Sequence, residues 1–156
     1  MLTQEQKATN DDTWKHIHRV RELLNECIKE LLDRGHKHDQ SKLESPEVEY
    51  FTEFTDRLAK STFGSEEYND FKTKMKPALD HHYAKNRHHP QHYKNGIEDM
   101  NLIDLLEMLM DWKAASERHE NGNIRKSIEI NAAPKNFNIS PQLTRILENT
   151  VDFLDW

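Results

Sequence analysis

The chain lacks the residues and patterns from which disulfide frameworks, β-sheets and membrane spans are built. Cys27 is its one cysteine, so no intrachain disulfide can form. Only four glycines occur and alternating runs of β-branched residues are absent, which argues against a β-rich fold. No apolar stretch approaches the roughly 20 residues of a membrane span, and the first residues lack the apolar core of a signal peptide. The sequence therefore predicts a cytoplasmic protein with no membrane partner.

An excess of positive charge is also missing. The net charge is −6 at pH 7, whereas general nucleic-acid binders and membrane-surface binders need a cationic field to attract phosphates. These classes are therefore excluded, although a local basic site is not. With 32% charged and 35% hydrophobic residues, the 156-residue chain has the composition of a folded protein and the length of a single domain.

Apolar residues recur at helical spacing in every long segment, so the sequence predicts an all-α fold of about six helices. Capping residues, prolines and glycines place the helices. They run from Asp11 or Asp12 to Gly35, from Ser45 to about residue 60, from Ser65 past a division at Pro77, from about 99 to 119, and over about 141–155. Cys27 shares the apolar stripe of the first helix with Leu24 and Leu31, which predicts a small core residue.

Five of the ten histidines fall within the sequence "HHYAKNRHHPQH", residues 81–92. His82 continues an apolar seam that begins at Tyr68, so it is predicted to point inward, whereas His81 is rotated off that seam. Pro90 favours an extended backbone at His89, which predicts that the helix stops after Asn86. His88, His89 and His92 would then lie in a loop. His81 and His92 are interpreted as solvated residues.

Two further histidine motifs precede this cluster. In "KHIHRV", His16 lies closer to the apolar stripe of the first helix than His18, which makes it the better candidate for a ligand. In "RGHKHDQSKLE", His38 and Asp39 are adjacent. Where the backbone turns, both can reach one cation, the imidazole as a borderline donor and the carboxylate as a hard donor that can bridge.

The most apolar helix carries a narrow acidic stripe formed by Asp104, Glu107 and Asp111. This helix is expected to be almost entirely buried, so the stripe is either its solvent face or the wall of a polar cavity that holds a metal. Asp104 and Asp111 are two turns apart, roughly 10 Å, so one metal cannot bind both. Asp104 or Glu107 would then hydrogen-bond a ligand or a water.

Together these motifs resemble the HD-domain superfamily of metal-dependent phosphohydrolases, whose pattern is a helical His, a doublet H-D-x-x-K and a distant Asp. The matching stretches are "HIHRV", "HDQSK" and "DLLEMLMDWKAAS", over about residues 14–119. The resemblance implies an HD-like helical bundle and a divalent transition metal (Mn, Fe, Co, Ni or Zn). The ligands that it implies are His16, His38, Asp39 and Asp111, the last chosen for its position before "WKAAS".

Some HD-domain proteins bind a second metal through two additional histidines. Here these would be His82 and one of His88 and His89, whose separation of six or seven residues is shorter than the separation associated with two-metal members. Alternatively, His88 and His89 bind phosphate or carry protons. Lys42, at the motif spacing, and Arg118, on the same helix face as Asp111, would complete a phosphate site.

The expected function is therefore hydrolysis of a nucleotide or another small phosphate ester. The alternatives are a di-iron oxygenase of HD type, an inactive scaffold that binds a nucleotide signal or a protein partner, and a structural metal site; a homo-oligomer is compatible with each. The stretch "NRHHP" and the segments after it are also similar to a family of small, functionally undescribed proteins common in phages and their hosts. A phage-encoded protein would act in the host cytoplasm.

Overall fold

Helices make up most of the chain in the computed structural model, which describes residues 2–60, 66–118 and 122–156. Within these ranges there are seven α-helices and no strand, which confirms the all-α prediction. The helices are α1 Gln4–Lys37, α2 Glu47–Lys60, α3 Glu66–Lys74, α4 Lys76–Lys85, α5 Leu102–Ser116, α6 Ile124–Ala132 and α7 Pro141–Phe153. Short 3₁₀ turns lie at Gln40–Leu43, Pro90–His92 and Gly96–Asp99. None of the described helices combines the length and the apolar character needed to cross a membrane.

The chain divides into two compact units, residues 1–37 and residues 38–156. Assignment of the whole chain to one domain stays a prediction. The first unit consists of α1, in which no residue is buried. Cys27 is exposed, so the prediction of a small core residue is wrong. The first unit contains no second element against which the apolar stripe of α1, including Cys27, could pack.

The bounds of the first two helices differ from those predicted. α1 begins before Asp11, because Thr3 and Gln6 exchange side-chain and backbone hydrogen bonds that cap its start. It also continues through Gly35, since one glycine weakens a long helix without ending it. α2 begins at Glu47, one residue after Pro46, to which Ser45 is joined by a cis peptide bond.

The break between α3 and α4 follows from Pro77, as predicted. The proline has no N–H to donate and clashes with the preceding turn, and a single turn residue, Met75, separates the two helices while keeping right-handed dihedral angles. Met75 and His82 are both buried, which confirms the inward direction of the seam at these positions. The predicted cap Ser65 lies outside the described residues, and so does the side chain of Tyr68.

The hydrophobic core of the second unit lies where α5, α6 and α7 meet. Its buried residues are Met100, Met108, Leu109, Ile124, Ile128, Ile139, Leu147 and Val151. The sequence interpretation missed α6, a nine-residue helix in which only Ile124 and Ile128 are buried. Asn123 caps this helix by accepting hydrogen bonds from the next turn. For α7, Ser140 caps and Pro141 opens the helix as predicted.

The α5 helix is shorter and more exposed than predicted. It ends at Ser116, and residue 119 lies outside the described part of the chain. Leu102 is 77% exposed and Met110 is 37% exposed, because the apolar surface of α5 is wider than the core it faces. Asp104, by contrast, is fully buried. The acidic stripe is therefore on the interior side, which overturns the alternative of a solvent face.

Candidate metal centre

The His38-Asp39 pair lies at the turn that leads from α1 into the first 3₁₀ segment. Asp39 has a left-handed backbone conformation with φ 57 and ψ 12, which aspartate tolerates better than most residues. This turn brings the two side chains to one side, with His38 Nε2 at 3.5 Å from Asp39 Oδ2. The turn that the sequence analysis required of this pair is present.

The histidine-rich segment supplies the next side chains. α4 ends at Lys85 with Asn86 as its C-cap, and His89 is extended before Pro90, both as predicted. His82 from the helix and His89 from the loop then meet, with 2.9 Å between their Nε2 atoms. His82 Nε2 and His88 Nε2 lie 3.3 Å and 3.5 Å from Asp39 Oδ1.

Asp111 enters the same region from α5. Its Oδ1 lies 3.6 Å from His38 Nε2, and its Oδ2 lies 4.0 Å from His88 Nε2. Two groups of side chains result, each with donor atoms that all lie within 4.8 Å of one another. Group one consists of His38, Asp39, His88 and Asp111, and group two consists of Asp39, His82, His88 and His89. Asp39 and His88 belong to both.

Several buried atoms of these groups are left without hydrogen bonds among the described residues. They are Asp39 Oδ1 and both ring nitrogens of His88. His88 Nδ1 faces Glu107 Oε1 at 3.1 Å, but without the alignment that a hydrogen bond requires. An unsatisfied buried polar atom costs about 1–3 kcal/mol, which a shared cation would offset. Imidazole and carboxylate donors suit Mn, Fe, Co, Ni and Zn, so the residues fit a divalent transition metal.

Glu107 contacts His38 of group one at Nδ1, the ring nitrogen that does not face Asp39 and Asp111. Its Oε1 accepts a hydrogen bond from His38 Nδ1 at 3.0 Å, and the Glu107 side chain is 10% exposed. A carboxylate at Nδ1 fixes the orientation of an imidazole and leaves Nε2 for a metal. Glu107 thus hydrogen-bonds His38, which the sequence predicts as a ligand.

Asp104 has a structural role at the start of α5. It shares a capping box with Asn101, and it also accepts hydrogen bonds from Arg87 and from the hydroxyl of Tyr93. The carboxylate oxygens of Asp104 are thus occupied by these hydrogen bonds. Of the two aspartates left open by the sequence, Asp111 is the one that joins group one.

The protonation states of the ligands follow from their contacts. Hydrogen bonds to Asp111 and Glu107 raise the pKa of His38 to about 10, against the effect of burial. Burial raises the pKa of Asp39, but the adjacent His82 ring and the hydrogen bond from Lys42 outweigh burial and hold that pKa well below its usual range. Burial lowers the pKa of His89 to about 3, so that this imidazole is neutral at pH 7, as a metal ligand must be.

The remaining predicted site residues are Lys42, Arg118 and His16. Lys42 Nζ is 2.6 Å from Asp39 Oδ2 and 5.3 Å from the centroid of the Phe51 ring. Arg118 is exposed and follows the end of α5, so it does not share that helix with Asp111 as predicted. His16 is exposed on α1. The phosphate-binding roles of Lys42 and Arg118 and the ligand role of His16 stay predictions.

His81 and His92 are not the solvated residues that the sequence suggested. His92 Nδ1 donates a hydrogen bond to the carbonyl oxygen of Tyr83 at 2.8 Å, which ties the loop to α4. His81 Nδ1 lies 2.7 Å from Oε1 of Glu47, a residue that the sequence analysis missed. The available signal was position: Glu47 precedes the buried Phe54 by seven residues and so lies on the same face of α2.

These features define the class of the protein as an all-α chain in which buried and half-buried histidines and aspartates form groups that could hold a metal ion. The chain belongs to a family of unknown function, DUF5662, whose model matches residues 5–153. Comparison with curated proteins gives no match, and neither does comparison with solved structures. The family assignment spans nearly the whole chain and brings no activity with it.

Proposed function

We propose that the protein is a metal-dependent phosphohydrolase of HD type that acts on a nucleotide or another small phosphate ester. The observation that carries the proposal is the convergence of His38, Asp39, His88 and Asp111 around buried atoms that lack hydrogen bonds. The proposal is also supported by the HD-like order of the motifs along the chain.

The ligand atoms of group one suit a divalent metal. Such an ion, when bound, lowers the pKa of a coordinated water and polarises a phosphoryl oxygen. The chain's own part is to hold the donors in place: Glu107 orients His38, and the left-handed turn at Asp39 sets its carboxylate between the two groups. To act as a ligand, His38 would have to lose its Nε2 proton, since ligation and protonation compete for that atom.

The phosphate would be bound by the basic side chains at the edge of the site. Lys42, whose side chain is 34% exposed, already neutralises Asp39 and reaches the surface beside it. His89 is poorly suited to protonate a leaving group, because a pKa of about 3 leaves almost no protonated form near neutral pH. The neutral His89 is better suited to act as a ligand.

Group two supports a second metal position. The short spacing between His82 and His89 argued against it in the sequence, but the loop after Asn86 folds back and places their Nε2 atoms 2.9 Å apart. Asp39, common to both groups, would bridge the two metals. A shared carboxylate of this kind also suits two irons, so an HD-type oxygenase is the second candidate function.

Metal analysis and a phosphate-release assay with a panel of nucleotides test the proposal. We expect the purified protein to bind Mn²⁺, Co²⁺ or Fe²⁺ and to release phosphate. Asp39→Asn should reduce both by at least about 100-fold, the upper end of what supporting residues contribute. Asp56→Asn, a change at an exposed aspartate of α2, is the matched control and should leave both unchanged.

Three outcomes separate the alternatives. A protein that binds none of these metals contradicts every metal-dependent reading. An iron-loaded, coloured protein that consumes O₂ without releasing phosphate identifies the oxygenase. Tight nucleotide binding without turnover identifies a scaffold and overturns hydrolysis.

A further inference from the structure

Glu47 is a fully buried carboxylate beneath group two. It is the first residue of α2 and has 0% exposure. Its Oε1 lies 2.7 Å from His81 Nδ1 and its Oε2 lies 2.8 Å from His82 Nδ1. Burial of a carboxylate is costly unless the charge is paired and hydrogen-bonded. At Glu47 that cost is offset by two imidazoles, one of which belongs to the candidate metal centre.

The contact with Glu47 determines which nitrogen of His82 is available. An ionised carboxylate can only accept hydrogen bonds, so the contact with Glu47 calls for a proton on His82 Nδ1, a nitrogen that Asn86 Nδ2 also approaches at 3.0 Å. Nε2 then holds the lone pair, and this is the atom that lies 3.3 Å from Asp39 Oδ1 and 2.9 Å from His89 Nε2. Glu47 therefore directs the ligating nitrogen of His82 toward group two.

Neighbouring residues hold this arrangement in place. The amide Nδ2 of Asn86 donates to the carbonyl oxygen of His82 and to Ser41 Oγ, each at 2.8 Å. Burial raises the pKa of Glu47, but hydrogen bonds from His81, Ser41 and His82 outweigh burial and lower that pKa overall. Both carboxylate oxygens of Glu47 face imidazole nitrogens within hydrogen-bond distance, as an acceptor requires.

We propose that Glu47 is a positioning residue that fixes the tautomer and the orientation of His82 for the metal position formed by group two. The inference rests on the proposed metal-dependent function. Glu107 hydrogen-bonds His38 of group one. Within the described part of the chain, the side chains that contact Glu47 are His81, His82 and Ser41, none of which belongs to group one. Glu47 thus supports His82, a residue found only in group two, and loss of Glu47 should affect group two selectively.

The test compares wild type, Glu47→Gln and Glu49→Gln. Glu49 is exposed on the same helix and serves as the matched control. In Co²⁺ titrations followed by visible absorption, Glu47→Gln should bind one of two Co²⁺ ions about 10 to 100-fold more weakly and the other unchanged. Glu47→Asp, which keeps the charge, should recover part of the affinity. Wild-type affinity for both ions in Glu47→Gln would overturn the inference.

A second measurement needs no variant and no metal. ¹H–¹⁵N spectra of the imidazole rings in the metal-free wild type should show His82 protonated at Nδ1. A proton on Nε2 instead would overturn the role of Glu47, even if Glu47→Gln fails to fold. Failure of the proposed function looks different, because then wild type itself binds no Co²⁺ while His82 keeps its Nδ1 proton.

Discussion

At the scale of single residues, the centre depends on ionisable groups whose protonation in the metal-free protein is set by opposite causes. His38 is held in its protonated form by Asp111 and Glu107, whereas His89 is held neutral by burial and by the neighbouring histidines. As the pH rises, the contribution of His38 to folding stability therefore falls, whereas the contribution of His89 increases. The stability of the metal-free protein should record both responses.

The prediction is a maximum in metal-free stability near pH 6.5. The folded-state pKa of His38, about 10, exceeds its ordinary value of 6.5, so its contribution is complete below pH 6.5 and is lost as the pH rises toward 10. The folded-state pKa of His89, about 3, lies below 6.5, so its contribution is present above pH 6.5 and is lost as the pH falls toward 3. Urea unfolding with a chelator present, at a series of pH values, measures the curve.

Two variants show which histidine causes the loss of stability on each side of the maximum. His38→Asn should flatten the alkaline side, and His89→Asn should flatten the acid side down to about pH 4. Below that value Asp39 and Asp111, whose pKa values are lowered in the folded protein, lose their own contributions. An alkaline limb that persists in His38→Asn would show that another group causes it.

At the scale of elements, α5 joins the core to the centre. Met108 and Leu109 are buried in the hydrophobic core, while Glu107 and Asp111 face the histidines. Its first turn carries Asp104, bound to Arg87 and Tyr93. One helix therefore has an aspartate with a structural role and, two turns away, an aspartate with a proposed ligand role.

Replacing each aspartate should separate these roles. Asp104→Asn should destabilise the protein by about 1–3 kcal/mol, since it weakens a buried hydrogen-bonded charge and a helix cap, and metal affinity should change little. Asp111→Asn should lower metal affinity at group one by about 100-fold or more, and the stability that it loses in the metal-free protein should be confined to the pH range in which His38 is protonated. Chemical denaturation and Mn²⁺ titration of both variants make the comparison. The assignment of roles is wrong if Asp104→Asn lowers metal affinity and Asp111→Asn leaves it unchanged.

What could be predicted from the sequence at this scale was local. A turn that lets His38 and Asp39 converge, a helix break at Pro77 and a helix end after Asn86 each depend on a few neighbouring residues. Glu47 and α6 were missed because their signal is tertiary. The carboxylate of Glu47 resembles any helix-start glutamate until α4 places two imidazoles against it, and α6 has only two buried residues to show its period.

At the scale of the molecule, the two groups tie together distant parts of the second unit. Glu107 and His38 are separated by 69 residues, and His82 and Asp39 approach each other from α4 and the turn before the first 3₁₀ segment. Neither group includes a residue of α1, which forms a unit of its own. A ligand that holds these segments together binds only the folded form of residues 38–156.

Metal binding should therefore stabilise the whole second unit. With free Mn²⁺ at 100 times its dissociation constant, one site adds about 2.7 kcal/mol to the free energy of unfolding, which corresponds to a rise in Tm of roughly 5 to 10 °C for a protein of this size. Scanning calorimetry with Mn²⁺, and again after addition of EDTA, measures the rise and its reversal. Asp39→Asn should show no rise, because Asp39 belongs to both groups, whereas Asp56→Asn should match wild type. An equal rise in Asp39→Asn would place the stabilising metal somewhere other than the two groups, because no bridging carboxylate would remain to hold it there.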